Sequence, residues 1–478
     1  MSKVARKRGI IATEGPIFSK IILFAIPLIL TNLIQQLYTI ADNLVVGKFS
    51  TDPTALGAIG SSMSLVAFLT ALFAGFSTGA SATVSHDFGA RDRDALSKSV
   101  HSSLILSLIA GLLVGAIGFI FAEPLLLLMN TKEEFLSGAV TYLRIRCVGM
   151  PLVSLYSVAA AILRSVGDSK SPMYILTFSG IANVLMNLVF VLLFGMGADG
   201  VAYATLIAQV LSVIFLIAVL LKRKDEDYSI SYSDLRIDLP TTKRIMGFAI
   251  PGTIQGSVAH VMNLLLSTAA NSFSPEVVEA RTVASNIDNI MSTVLAVFAS
   301  VTITFVGQNR GAVKPDRIKR SLLYSILQST ALAVLGCIVF LAFKNPLIRL
   351  FLNESSYDVE SITAYAGTII VIIQLGYLIT GLSNSLAGFI KGMGYALPTM
   401  LISLFDMGVV RAIWILLLFP MVNTLEFLYL IYPVSWTLSA VSYSVVSIFI
   451  WKKYKRKLNA MTSSEPAKSQ PESGKCKA

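Results

Sequence analysis

The sequence predicts an all-α membrane protein with twelve transmembrane helices in two six-helix lobes, related by a pseudo-two-fold axis along the membrane normal. Three observations lead there. Of 478 residues, 55% are apolar and only 14% charged, whereas soluble globular chains carry roughly 25% charge. The apolar residues fall into runs long enough to cross a bilayer, which takes about 20 residues in a helix. The second half of the chain also echoes the first, in order.

In the first half, apolar runs between charged or Gly/Pro-rich breaks place spans at 20–47, 56–84, 98–121, 138–163, 172–194 and 200–221. In the second half they fall at 243–270, 280–306, 321–343, 361–388, 396–419 and 426–451, those near 280 and 361 being the least apolar. Lys and Arg flanking a span are retained in the cytoplasm. With both termini there, inner segments hold thirty of them and outer segments seven, including Arg144 and Arg146, with Arg411 left inside a span. The expected divisions are a cytoplasmic N-terminus (1–19), an N-lobe (20–221), a cytoplasmic linker (222–242), a C-lobe (243–451) and a basic, disordered cytoplasmic tail (452–478). The basic start from Lys3 to Arg8 is superficially similar to a secretory signal. The apolar run after it is too long and lacks a small-residue cleavage site, so it reads as the first retained helix.

Phe24-Ala25-Ile26-Pro27 recurs 224 residues later as Phe248-Ala249-Ile250-Pro251. VSHDFGARDRDALSKSV from Val84 aligns with VGQNRGAVKPDRIKRSL from Val306, and LRSVG from Leu163 with IKGMG from Ile390. Six spans per half is an even number, so both halves enter the membrane in the same sense, which puts the symmetry axis along the membrane normal. Two such bundles around a cavity suit alternating access; a purely structural duplication is the alternative. Pro27 and Pro251 each remove a backbone donor inside a span, giving either a hinge or a static bend.

Other classes are excluded by what is missing. Cys147, Cys337 and Cys476 are too few and scattered for a disulfide framework or a thiolate metal site. The formal charge of +11 is distributed between hydrophobic runs, not on one aromatic-interleaved surface, so nucleic acid is not the expected partner. GxxxxGK[ST] and HExxH are both absent from the sequence. The chain reads as no enzyme, without a cofactor, and energised by an ion gradient or a separate partner.

An ionisable side chain at the bilayer centre costs roughly 2.5–3.5 kcal/mol on insertion scales, so each needs a reason. Asp42 is the clearest case: Gln35 and Tyr38 precede it by seven and four residues, on the same helical face. Such a stripe can line a wet cavity in which a carboxylate exchanges a proton or holds a cation; alternatively Asp42 is a solvated acid near the outer end of its span. Asn183 and Asn187 in the fifth span, and Thr205 and Gln209 in the sixth, repeat the i, i+4 pattern. These are either oxygen ligands and relay groups or simple interhelical hydrogen bonds. The second half offers Gln255, His260 and Asn263, then Asn286, Asp288 and Asn289, then Asp406 and Arg411. Arg411 is expected to pair with Asp288 or Asp406 as a structural ion pair, or else to meet substrate or coupling ion.

The repeated FAIP, QQLYTIADNLVVG at 35–47, the paired Gly-Ala loops, LRSVGDSKSP at 163–172, and NVLMN with GADGVAYAT between 183 and 205 together resemble the multidrug and toxic compound extrusion transporters. That family lies within the multidrug/oligosaccharidyl-lipid/polysaccharide exporter superfamily. The resemblance covers about Gly15 to Lys457. It implies two six-helix lobes enclosing a cleft, and export of organic, often cationic or amphipathic, compounds against inward H⁺ or Na⁺. The family's first-span acid falls on Asp42, its cavity neighbours on Gln35 and Tyr38, and its N-lobe cation network on Asn183, Asn187 and Thr205. Many relatives carry Asp where this chain has Asn187, and the C-lobe acids of some are replaced near Gln255 and Ala259. With one carboxylate, H⁺ is the preferred coupling ion over Na⁺.

The expectation is therefore a secondary active multidrug exporter of the cell inner membrane, a monomer in the lipid bilayer whose partner is a drug or toxic metabolite. Ion coupling is assigned to Asp42, Asn183, Asn187 and Thr205, where Na⁺ would also bind. The substrate cavity is assigned to Gln35, Tyr38, Gln209, Gln255, His260, Asn263, Asn286, Asp288 and Arg411. A lipid-linked precursor flippase and a non-transporting membrane interaction protein are the rivals.

Overall fold

A computed structural model describes residues 9–223, 226–230, 236–352 and 358–463. In the first half the spans are Ile17–Phe49, Ala55–Ala90, Arg93–Ile120, the pair Glu133–Val148 and Met150–Ser165, Lys170–Leu193 and Ala198–Lys222. In the second half they are Leu239–Ala270, Pro275–Gly311, Pro315–Ala342, Val359–Gly392, Leu397–Val422 and Leu425–Met461. Ten of these are long and apolar enough to cross a membrane, and the fourth, bent by 44° at Gly149, makes an eleventh. The seventh, at 32 residues, is long enough but more polar. Each expected span is thus matched in order by a helix or bent pair.

The chemistry of the helix ends follows from local sequence. The Asp92 carboxylate accepts from the Ala95 amide at 3.0 Å, and Asp238 accepts from Thr241 at 2.9 Å, each satisfying a donor at a helix start. Prolines open the eighth and ninth spans, where a missing amide removes no hydrogen bond. The fifth span ends in a π-helical turn at Val189–Leu193, and the eleventh contains two, Leu404–Val409 and Trp414–Leu418. At the far end the final helix, Ile431–Ser463, continues beyond the membrane segment. Residues 452–463 are therefore helical where a disordered tail is expected, since Lys452, Lys453, Lys455, Arg456 and Lys457 are good helix formers that extend an existing helix without a new nucleus. The remainder of that tail, 464–478, lies outside the described residues, as do 1–8 of the expected cytoplasmic N-terminus.

Each lobe has its own core. Ile59, Phe73, Leu126, Leu143 and Met150 fill one level of the N-lobe, and Val84, Val100, Ile162 and Leu216 another. The C-lobe repeats the scheme with Ile287, Leu295, Ile369 and Leu428, and with Val306, Ile318, Phe389 and Ile390. Outward-facing Leu112, Leu113, Ile117 and Ile120 of the third span, and Leu335 and Ile338 of the ninth, remain exposed. Such continuous apolar faces suit lipid.

Between the lobes, apolar contact is concentrated at one end. Ile17, Ile21, Phe24 and Leu28 pack against Val297, Phe298, Val301 and Phe305, and Ala82 with Phe248, Ile303 and Ala396 forms a second patch. All lie toward the ends of the spans nearer the chain termini, Ala396 as the residue just before the eleventh span. The repeat is visible in the contacts themselves. A Cβ added to Gly89 would lie 2.0 Å from the Gln308 carbonyl oxygen, and one on Gly311 would lie 2.0 Å from that of His86. Both glycine and both partner positions are separated by the repeat offset of 222, so the second and eighth spans cross by a reciprocal, two-fold contact. Only a residue without a side chain permits that approach.

Polar groups complete the seal. Gln308 accepts from the Ala12 amide at 2.8 Å and donates to the Ser165 carbonyl at 2.7 Å. Arg317 donates to the carbonyls of Ala12, Glu14 and Gly15, and Asn309 donates to that of Ala12 at 3.2 Å. Arg244 pairs with Asp87, which also accepts from the Ser99 hydroxyl at 2.6 Å and meets His86 Nδ1 at 3.1 Å. Asp87 and Asn309 are again repeat equivalents: Asn309 ties down the chain leading into the first N-lobe helix, and Asp87 the second turn of the first C-lobe helix.

Candidate ion and substrate site

Above this seal a cavity of about 670 Å³ opens between the lobes. Its walls carry Gln35, Tyr38 and Asp42 from the first span, Asn183 from the fifth, Thr205 and Gln209 from the sixth, and His260 from the seventh. Seven of the thirteen expected site residues therefore meet in one space. At its base the Gln36 amide donates across the lobe boundary to the Thr293 hydroxyl at 3.4 Å.

Asp42 is half-buried on the cavity wall and is not a solvated acid at a helix end. The Asn187 amide nitrogen donates to its Oδ1 at 2.5 Å and reaches Asn183 Oδ1 at 3.5 Å, while Asn183 donates to Thr205 Oγ1 at 3.4 Å. Asn187 is fully buried behind the wall, so it acts on the cavity through Asp42. Its own Oδ1 is buried with no hydrogen-bond partner. Three helices thus converge on one carboxylate with an orphaned acceptor beside it, a set of oxygens short of positive charge. Tyr38 lies flat against the fifth span because position 180 is glycine; a Cβ there would fall 1.6 Å from the tyrosine ring. Among the described residues no three His, Cys, Asp or Glu side chains cluster to hold a metal ion.

The C-lobe candidates sit elsewhere. Gln255 accepts from Lys391 Nζ at 2.9 Å, while Asn263 and Asn286 are exposed and do not line the cavity. Asp288 accepts from the Tyr377 hydroxyl, and Tyr377 packs on Trp436 with centroids 4.9 Å apart. Arg411 differs from expectation: among the described residues it forms no ion pair with Asp288 or Asp406. Its Nε donates to Ser435 Oγ at 3.1 Å and its guanidinium lies 4.7 Å from the centre of the Tyr432 ring. The face of an aromatic ring accommodates a desolvated guanidinium without a carboxylate partner. None of Asp288, Asp406 and Arg411 reaches the cavity between the lobes.

Sequence reasoning missed Arg146, Tyr142 and Tyr156, all of which line the cavity. Arg146 is counted above with the charges outside the membrane, yet it lies in Glu133–Val148, in the bent fourth span. The available signal was spacing: Tyr142 and Arg146 are four residues apart on one face, seven and three residues before Gly149 at the bend.

A family sequence model, MatE, matches residues 27–189 and again 251–417. The chain belongs to the MatE family. The two matched segments begin at Pro27 and Pro251, one in each lobe, so the family pattern itself contains the internal repeat. The chain is 25% identical over 399 residues to the probable multidrug resistance protein YpnP of Bacillus subtilis (strain 168), covering 84% of this chain and 88% of that one. With the probable multidrug resistance protein NorM of Thermotoga maritima it shares 24% identity, over 82% of this chain and 83% of that protein. In fold it is similar to a multidrug resistance MATE family transporter solved in an outward-facing conformation, with a TM-score of 0.86 at 21% identity, covering 95% of this chain and 100% of the other.

Proposed function

We propose that this MatE protein is a secondary active exporter of small organic molecules, among them drugs and toxic metabolites, driven by inward H⁺ or Na⁺ through Asp42. One observation carries the reading: among the described residues a single carboxylate stands on the wall of a cavity between the lobes, fixed by Asn187 and beside an orphaned amide oxygen. The multidrug-resistance names of YpnP and NorM support the substrate class. With the termini cytoplasmic, as the Lys and Arg bias favours, the sealed side faces the cytoplasm and the cavity opens outward.

The mechanism follows from competition for one charge. Ionised Asp42 holds a cationic group of the substrate while the cavity faces the cytoplasm. After the lobes rock, a proton or Na⁺ arriving from outside neutralises the carboxylate, the attraction is removed and the substrate leaves. The neutral site returns inward, where loss of the ion resets it. H⁺ is preferred because Asn187 supplies a neutral amide where a second carboxylate would balance Na⁺; Asp42 with the oxygens of Asn183, Asn187 and Thr205 would still accept Na⁺ weakly. The location is a cell inner membrane and the working unit a monomer, since each chain contains both lobes. Dye efflux from vesicles bearing the purified protein tests the reading: it should require an imposed ion gradient and vanish in Asp42→Asn. Undiminished efflux from that variant refutes the role of Asp42.

A further inference from the structure

Arg146 is the group in the cavity that the exchange at Asp42 does not use. It lines the same space as Asp42, Tyr142 and His260. Its Nε is buried without a hydrogen-bond partner, and among the described residues its side chain enters no ion pair or hydrogen bond. A guanidinium stays charged and presents a planar fork of donors that matches a carboxylate or phosphate. In a membrane interior such a charge is expensive to leave uncompensated. Asp42, the nearby acid, is already fixed on the fifth span by Asn187.

Charge balance restricts what can fill this cavity. A simple cation drawn to Asp42 leaves Arg146 unmatched as the cavity dries on closure, and a simple anion leaves Asp42 unmatched. A molecule carrying both an ammonium and an acidic group neutralises both walls at once, while a proton at Asp42 still competes with its ammonium. We infer that the cavity selects zwitterionic substrates, with Arg146 anchoring a carboxylate or phosphate while Asp42 takes the cationic group. This rests on the reading of the Asp42 cavity as the substrate site and adds to it the charge class of the cargo.

Three fluorescent probes that differ only in charge test the inference by equilibrium binding to the purified full chain in nanodiscs at pH 7, below the α-amino range of about 7.7–8.0. They are Nε-dansyl-lysine, its methyl ester and its Nα-acetyl derivative: a zwitterion, a cation and an anion. The zwitterion should bind about tenfold more tightly than either, the scale of one charge-assisted hydrogen bond. Arg146→Met should reduce its affinity to that of the ester and leave the ester unchanged or tighter, while Arg146→Lys should retain part of the preference. Equal affinities in the native protein, no measurable binding of the zwitterion, or a preference that survives Arg146→Met would overturn the inference. The native three-probe comparison decides even if a variant fails to fold. Vesicle export separates the two readings: Asp42-dependent export of the ester without any zwitterion preference sinks only this inference. An intact preference without Asp42-dependent export sinks only the export reading.

Discussion

In the N-lobe, Asp42 stands on the wall of an open cavity with amides behind it, whereas in the C-lobe Asp288 is closed under Tyr377 and Trp436, with Arg411 resting on Tyr432 nearby. The two lobes share one six-helix plan, but applying the repeat offset of 224 to Asp42 gives Leu266, a core residue of the C-lobe. Duplication therefore preserved the contacts that hold the lobes together while the polar centres diverged. The reciprocal crossing of Gly89 and Gly311 lies on the conserved side of that division; the acids lie on the other. One lobe exposes its charge to whatever enters the cavity, and the other uses its charge among its own aromatic rings.

The comparison breaks most clearly if the two acids can be exchanged in importance. Asp42→Asn should bring gradient-driven efflux to the level of empty vesicles, while Asp288→Asn should leave most of it and instead lower thermal stability. The amide oxygen of that variant still accepts from Tyr377 but without charge assistance, a loss on the order of 1 kcal/mol; efflux and melting temperature measured on both variants decide. A reversed order would place coupling in the C-lobe.

Next in size is the seal. Gly89→Val puts a side chain where backbone already stands and should drive the lobes apart at the terminus side, shifting the population toward the opposite opening. Gln308→Ala does the same more gently by stranding the buried Ala12 amide, a loss of about 1–3 kcal/mol, or roughly five- to over a hundred-fold in the balance between states. Distances between paired spin labels across the sealed end should lengthen in both variants, and unchanged distances would deny the seal its role.

Asn187→Asp sharpens the chemical side. A second carboxylate next to Asp42 should convert a proton-preferring site to one with measurable Na⁺ dependence, read as efflux under a Na⁺ gradient alone. The smallest effect concerns the linker end. The Thr241 hydroxyl and amide hold the Asp238 carboxyl below the usual carboxylate range. A lowered folded value means that this cap stabilises the seventh helix above the ordinary carboxylate pKa and is lost as pH falls through the folded one. Asp238→Asn should therefore flatten the acid limb of the melting-temperature profile slightly, without altering efflux.

Much of the fold was legible because membrane spans and an internal repeat are written in one dimension: Pro27 and Pro251 mark the same place in each copy. Asp42, Asn183, Asn187 and Thr205 were also legible, since a polar group in an apolar run needs a partner and helical spacing gives its face. What escaped depended on three dimensions. Arg146 reads as an external charge until the bend at Gly149 turns its helix toward the cavity. Arg411 reads as half of an ion pair until Tyr432 takes that place, and nothing in the spacing of Asp288 or Asp406 reveals that the aromatic ring is closer. Gln255, Asn263 and Asn286 share a lobe but not a cavity, which polarity alone cannot distinguish.

The most direct measurement is substrate efflux from proteoliposomes under an imposed pH gradient and, separately, an imposed Na⁺ gradient, with native protein and Asp42→Asn side by side. Efflux driven by the pH gradient in the native protein and absent from the variant is the predicted result. Equal efflux from both proteins under either gradient would contradict the claim that one carboxylate in the first span couples ion entry to export.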